Sequence, residues 1–262
     1  MRRRDFKRVL SISDLHSGNV VGLTPEKYNP QSEDNYKAYV YRRGLYEWTC
    51  NEIDKLRPID ICVADGDLID GKGDKTGGCE QIEMSRPKQI EMASDFLNFI
   101  DAKEYYFSFG TGYHVGREDD WESVIANEFH TEADDIVTKD VNGLVMKFRH
   151  HIGGSMAPTG RATGLLRQQE WDTLWSINGE FERASVMVFG HVHYFQSFTN
   201  RFGTLFTQPA LQGLGGSQLG SRRMGGIVDF GFLHFDIKGK DDWSWKAHLL
   251  TQTQAVRAGV SK

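Results

Sequence analysis

The sequence predicts an α/β fold: a mostly parallel sheet with helices on its outside and a second sheet added by a β-rich tail. Three observations predict it. Short apolar runs alternate with longer stretches of helical period. Five of the apolar runs each end in a cluster of Asp, His or Gly. From about Thr204 onward the chain reads as strands alone. Residues 1–262 are expected to form a single domain.

The elements follow in order. Arg8–Ser13 reads as a strand ending at Asp14-Leu15-His16, with a polar loop to about Glu33. Asp34–Leu56 reads as a helix, its broken apolar stripe supplied by Tyr36, Tyr39, Val40, Leu45, Tyr46 and Ile53. Pro58 stops it. Ile59–Ala64 is the next strand and runs into Asp65-Gly66-Asp67-Leu68-Ile69-Asp70. Gly71–Gly78 is a loop. Ile90, Ala93, Phe96, Leu97 and Ile100 have the spacing of a helix over Gln89–Ile100. Glu104–Phe109 is a strand ending at Gly110-Thr111-Gly112-Tyr113-His114, and Trp121–Phe129 a helix. Leu144–Arg149 is a strand ending at His150-His151, and Thr163–Ile177 a helix. Ser185–Phe189 is a strand ending at Gly190-His191-Val192-His193. Thr204–Thr207, Ile227–Ile237 and Trp243–Leu250 are the strands of the tail.

Composition narrows the function classes. Hydrophobic residues at 39% and charged residues at 26% are the balance of an ordinary water-soluble protein. A net charge of -5 supplies no global field that would draw the chain to nucleic acid. Cys50, Cys62 and Cys79 are too few and too irregular for a disulfide framework or a zinc knuckle. The basic start Met1-Arg2-Arg3-Arg4 is followed by Asp5-Phe6-Lys7-Arg8, not by the apolar region of a secretory signal. No run approaches the ~18 apolar residues of a membrane span. These features lead us to expect a cytoplasmic protein with no membrane partner.

The strand ends carry the chemistry. In open α/β sheets ligands bind at the carboxyl ends of strands, so clusters far apart in sequence are expected to converge. Asp14 and His16 are two apart, and residues i and i+2 share a face of a strand. One carboxylate oxygen and one imidazole nitrogen then reach one cation, and His191 with His193 repeats the arrangement. Mixed oxygen and nitrogen donors suit Mn, Fe, Zn or Ni better than Ca or Mg. Asp67 follows Gly66, which permits close backbone approach, and its carboxylate has an oxygen for each of two ions. Two ions about 3.5–4 Å apart clamp a phosphate and activate a water.

These motifs together resemble those of the calcineurin-like metallophosphoesterases, whose ordered signature is D-x-H, G-D-x-x-D, G-N-H-[DE], a lone His and G-H-x-H. Here they read Asp14-Leu15-His16, Gly66-Asp67-Leu68-Ile69-Asp70, a variant at Gly110–His114, His150-His151 and Gly190-His191-Val192-His193. D-x-H alone carries no weight. All five in order, each after an apolar strand, carry a great deal. The resemblance implies an α/β/β/α sandwich, with two central sheets flanked by helices, and a dinuclear phosphoester hydrolase. It implies that Asp14, His16 and His193 hold one metal, that His151 and His191 hold the second, and that Asp67 bridges. It further implies that Asp70 pairs with His114, raising its pKa so that it protonates the leaving group. Two divalent ions are expected, manganese first, with iron, zinc, nickel and cobalt as alternatives.

The third motif departs from the pattern. Where the family has Asn directly after Gly, this chain has Thr111 after Gly110, and His114 follows three residues later. A hydroxyl from Thr111, a water oriented by it, or His114 shifted onto the metal would complete the second site. The doublet His150-His151 leaves a choice as well. Strand alternation sends the two to opposite faces, and His151 is the one we expect at the metal. Arg117, close after His114, and Arg161, in the loop after His151, are candidates to contact substrate phosphate. Tyr113 and Arg167 are weaker candidates. Gly71–Gly78, with Lys72 and Lys75, lacks the spacing of a phosphate-binding loop and reads as a rim of the site. Gly213–Gly226, with Arg222 and Arg223, is a second such rim. His130, His234 and His248 lie in no motif.

The G-H-x-H ending resembles the phosphodiesterase and repair-nuclease branches more than the protein-phosphatase branch. A phosphodiesterase is therefore expected, acting on a phosphoester that includes nucleotides or nucleic acid among its candidates. A phosphomonoesterase and a degenerate metal-binding module are the alternatives.

Overall fold

The structure is a computed structural model, and it describes residues 4–31, 36–73, 77–115, 120–155, 157–214 and 228–251. Two sheets lie between layers of helix. The first contains β1 (Lys7–Ile12), β2 (Ile59–Asp65), β3 (Ala102–Ser108), β4 (Ala133–Asp134), β10 (Phe230–Gly239) and β11 (Asp242–Leu250), in the order β11-β10-β1-β2-β3-β4. Its strands β1 to β4 are parallel, while β10 and β11 run antiparallel to their neighbours. The second contains β5 (Val137–Val141), β6 (Leu144–Arg149), β7 (Val186–Phe189), β8 (Gln196–Asn200) and β9 (Gly203–Thr207), in the order β5-β6-β7-β9-β8. There β6, β7 and β9 are parallel, and β5 and β8 pair antiparallel at the edges.

Period-2 alternation builds three apolar layers from these strands. Val9, Ile61 and Val63 face Met146, Phe148, Val188 and Phe206 across the space between the sheets. Their neighbours Leu10, Cys62 and Ala64 face the helices instead. Those helices are α1 (Tyr36–Asp54), α2 (Arg86–Ile100) and α4 (Trp121–Glu128), which contribute Leu45, Ile53, Phe96, Leu97 and Ile125. On the far side, α5 (Arg161–Ile177) packs Leu165 with Met187, Phe189 and Leu205. Each such side chain contributes roughly 1.5–3 kcal/mol by leaving water. The helix starts obey local chemistry. Pro87 stands in the first turn of α2. Asp120 caps α4 by accepting from the Ser123 N–H at 3.3 Å.

The tail differs from expectation. Only its first strand, β9, lies in the second sheet; the two later ones join the first. β10 pairs with β1 (Val9 opposite Phe235, Leu10 opposite His234), and β11 forms the edge beyond it. The reason lies in β10 itself, which is apolar on both faces: Phe230 and Phe232 face the helices, while Leu233, Phe235 and Ile237 face the second sheet. A strand of that kind belongs inside a sheet. Strands β4, β5 and β8 and the short helix α3 (Gly112–Val115) were not expected from the sequence pattern. No helix among the described residues is long and apolar enough to cross a membrane.

Candidate metal centre

The loops after β1, β2, β3, β6 and β7 meet at the carboxyl ends of their strands. The loops after β1 and β2 run side by side, joined by Asp14 N–H to Gly66 O at 3.1 Å, His16 N–H to Asp67 O at 3.0 Å and Ser17 N–H to Leu68 O at 3.1 Å. The chain is left-handed at Asp14, His16, Asp67, His191 and His193, with φ between 45° and 71°. This conformation costs on the order of 1–3 kcal/mol per non-glycine residue and persists where the surroundings impose it. Strand alternation is therefore not what aims these side chains. Each pair lies past its strand, and left-handed turns do the aiming.

Three sets of donors result. Asp14, His16 and His193 form one, Asp67, His150 and His191 another, and His16, Asp67 and His114 a third that joins them; within each set the donor atoms lie within 4.8 Å of one another. In the first, His193 Nε2 is 3.0 Å and His16 Nε2 3.8 Å from Asp14 Oδ1. The rest of each residue is engaged elsewhere. Asp14 Oδ2 accepts from the Ser13 hydroxyl and from the His191 N–H at 3.1 Å. His16 Nδ1 meets Asp70 Oδ1 at 2.8 Å. Asp14 Oδ1 and His16 Nε2 remain, fully buried and with no hydrogen-bond partner among the described residues. A buried polar atom without a partner is costly, and a cation is the partner that suits both. The residues present fit a metal.

The second set contains His150 rather than His151. His150 is fully buried, and its Nδ1–H donates to the Asp65 carbonyl at 2.7 Å, which fixes the tautomer. Its Nε2 lies 3.0 Å from Asp67 Oδ2. His151 is exposed and belongs to none of the three sets, although its ring lies 4.8 Å from that of His191. The parity of β6 explains this. Leu144, Met146 and Phe148 face inward, so the next even position does too. Lys147 and Arg149 on the odd positions were the sequence signal for it.

Thr111 occupies the place of the altered third motif. Its N–H donates to Asp67 Oδ1 at 2.6 Å, and its Oγ1 lies 3.1 Å from Asp67 Oδ2, 3.4 Å from His150 Nε2 and 3.1 Å from His191 Nδ1. Neighbouring ligands on an ion with bonds of ~2.1 Å are spaced about 3.0–3.4 Å apart. Gly110 permits this approach, since a Cβ there would lie 2.4 Å from the Asp67 nitrogen. Gly66 has the same function on the other side, where a Cβ would lie 2.5 Å from His150 Cγ.

Asp70 is shared. Besides His16, its carboxylate accepts from Asn19 Nδ2 at 3.0 Å and from the Gln81 amide. His114 Nδ1 lies 3.5 Å from that carboxylate and 3.0 Å from the Asp70 carbonyl oxygen. The nearer imidazole to the carboxylate is thus His16, not His114. Burial lowers the His114 pKa against the pull of Asp67 and Asp70, with His16 adding to the fall.

The other charges are strongly coupled. Burial alone would depress His16, but Asp14, Asp70 and Asp67 outweigh it and push the ring up to about 10. His150 is raised against burial by Asp67 and Asp14. Asp14 and Asp67 are in turn held far below the carboxylate range, despite burial, by His193 and His150 respectively. Burial and then His150 bring His191 down to about 4. Imidazoles bind metal in the neutral form, so metal binding would work against the protonation that these carboxylates favour.

Two buried acids behind Asp67 were not anticipated. Burial pushes Glu122 up to about 8 and Asp65 up to about 7. The signal that could have found Glu122 is its place on the helix face that carries Ile125 and Ala126. Arg161 begins α5 with its guanidinium 4.3 Å from the Tyr194 ring, beside His193, and its buried Nε has no partner among the described residues. Arg117, Lys75, Arg222 and Arg223 lie outside the described residues. Lys72 and Arg167 are exposed.

A two-sheet sandwich with this strand-end centre is the calcineurin-like metallophosphoesterase fold. The Zn2+ complex of wild-type Vps29 from Entamoeba histolytica superposes with a TM-score of 0.50 at 13% identity, covering 94% of this chain and 94% of that one. The purple acid phosphatase PPD1 of yellow lupin gives 0.51 at 11% identity, over 97% of this chain and 54% of that one. An archaeal phosphodiesterase gives 0.47 at 11% identity, over 93% and 99%. No family model matches the sequence. No curated protein matches it either.

Proposed function

We propose that this protein is a divalent-metal-dependent phosphoester hydrolase that favours phosphodiesters. One observation carries the reading: Asp14 Oδ1 and His16 Nε2 are buried with no hydrogen-bond partner among the described residues, inside a cluster of carboxylates and imidazoles. Asp14, His16 and His193 would hold one cation. Asp67, His150 and His191, with the Thr111 hydroxyl, would hold the other. When bound, the cations supply Lewis acidity, drawing charge from the phosphate oxygens and easing deprotonation of a water. Manganese is the first candidate, and iron, zinc, nickel and cobalt suit the same donors.

The chain's own residues do the remaining work. Asp70 positions His16 through Nδ1 and His114 through its carbonyl oxygen. His114 stands edge-on to His16, with ring centroids 4.6 Å apart. An arriving phosphate brings negative charge, which favours the imidazolium and lets His114 protonate the leaving oxygen. Arg161 and Arg117 would contact phosphate with their planar forks. Nucleotides and nucleic-acid backbones are within the substrate class.

The test is turnover of bis-p-nitrophenyl phosphate and p-nitrophenyl phosphate by protein stripped of metal and reloaded with Mn, Ni, Co, Zn or Mg. The expected result is metal-dependent cleavage, faster on the diester. Stoichiometric metal binding with no turnover of either ester would leave a metal-binding module and overturn the hydrolase.

A further inference from the structure

The side of α5 turned away from the sheet is largely apolar, with Arg167 and Glu170 among the apolar side chains. Leu166, Trp171, Leu174, Trp175 and Ile177 are 39, 52, 48, 45 and 76% exposed, and Phe181, just past the helix, is 52% exposed. At 3.6 residues per turn the five helical positions fall on one side. Leu165, Gln169 and Asp172 hold the opposite side against the second sheet. A contiguous group of large apolar side chains on the outer side of a surface helix points to a partner. Trp175 and Phe181 already group together, with ring centroids 6.3 Å apart. A whole aromatic side chain carries ~150–250 Å², so the patch is on the order of 500 Å².

We propose that this face is the two-fold interface of a homodimer, with α5 crossing α5 of a second copy antiparallel. Two such patches bury about 1,000 Å², where specific interfaces begin. The centre of the patch is rich in Trp, the residue type that most often anchors interfaces. The choice of a second copy comes from the order of charges. Arg167 stands in the N-terminal half of α5, and Glu180 and Glu182 follow its C-terminal end. A crossing centred on Leu174 places Arg167 of each copy opposite Glu180 and Glu182 of the other, twice by symmetry. A parallel crossing would set Arg167 against Arg167 and Glu180 against Glu180. The antiparallel arrangement also opposes the two helix dipoles. Arg161, at the N-terminal end of α5, lies 13 residues from the crossing, about 20 Å along the helix, and stays clear of it. The inference is independent of the hydrolase reading.

Sedimentation velocity on the full chain tests it. The expected species has twice the 29.8 kDa of one chain. Trp171→Glu with Trp175→Glu should raise the dissociation constant about 30-fold or more, the factor of a lost anchor residue, and give a 29.8 kDa species with unchanged metal content. Should that variant fold poorly, charge exchange on exposed positions decides. Arg167→Glu should weaken the dimer, and adding Glu180→Lys and Glu182→Lys should restore it. A wild-type chain that stays monomeric at its highest soluble concentration overturns the proposal, whatever else the face binds. So does a dimer that ignores all these substitutions.

Discussion

At the scale of single residues, the second donor set rests on His150 and Thr111. Both are aimed by neighbours and not by their own conformational preferences: Asp65 takes the Nδ1–H of His150, and Asp67 takes the N–H of Thr111. Replacing His150 with Ala should remove one equivalent of bound metal, whereas His151→Ala should retain both. Mass-spectrometric metal counting on the two variants checks this, and loss of an equivalent from the His151 variant alone would reverse the assignment. Thr111→Val keeps the shape and deletes the hydroxyl. It should weaken the second equivalent about 10–100-fold, the range for losing a supporting group at a metal site. Unchanged calorimetric binding of that equivalent would show that the hydroxyl plays no part.

At the scale of elements, α5 is tied to the second sheet by one buried ion pair. Lys147 of β6 donates to Asp172 of α5, both buried, and Asp172 also accepts from the Ala184 N–H at 3.1 Å. Asp172→Ala would strand a buried ammonium beneath the helix. A loss of about 3–5 kcal/mol is expected, as for other half-removed buried pairs. Urea unfolding measures it. A change below about 1 kcal/mol, the worth of an exposed pair, would mean that Lys147 reaches water without moving α5.

On the opposite flank, His234 of β10 and His248 of β11 face each other at 2.8 Å, and Glu52 of α1 lies 3.0 Å from His248 Nδ1. Burial first, and then the neighbouring His248 ring, brings His234 down to about 4, with Asp236 opposing and Arg8 and Lys246 adding to the effect. Burial lowers His248 as well, against its hydrogen bond to Glu52 and with Lys246 and Lys55 adding to the fall. The unfolded chain takes up the His234 proton near pH 6.5 and the folded chain only near 4. Stability must therefore decline as pH falls through that window. The wild type should lose more of its urea midpoint between pH 7 and pH 5 than His234→Gln does. Equal losses would place the pH dependence elsewhere.

At the scale of the whole molecule, the metal centre joins loops from both sheets, so its charge balance is a term in the stability of the sandwich. Anything that binds the folded chain alone stabilises it, by about 2.7 kcal/mol at a hundred times its dissociation constant. Saturating Mn2+ should then raise the melting temperature by several degrees over the chelator-treated protein. Identical melting curves with and without metal would count against a metal centre of any kind.

The strands β1, β2, β3, β6 and β7 were legible in the sequence because a buried strand is an apolar run of fixed period, a local property. The order of Asp and His clusters after them was legible for the same reason, and with it the resemblance that pointed to the fold. Two things were decided by tertiary structure. Which sheet the tail joins depended on β10 finding apolar partners on both faces, residues more than two hundred positions apart from β1 in the chain. Which donors converge depended on left-handed turns at Asp14, His16, Asp67, His191 and His193, imposed by hydrogen bonds between neighbouring loops. The candidate ligands were visible from their types and spacing. Their aim was not, because backbone pairing between distant segments sets it.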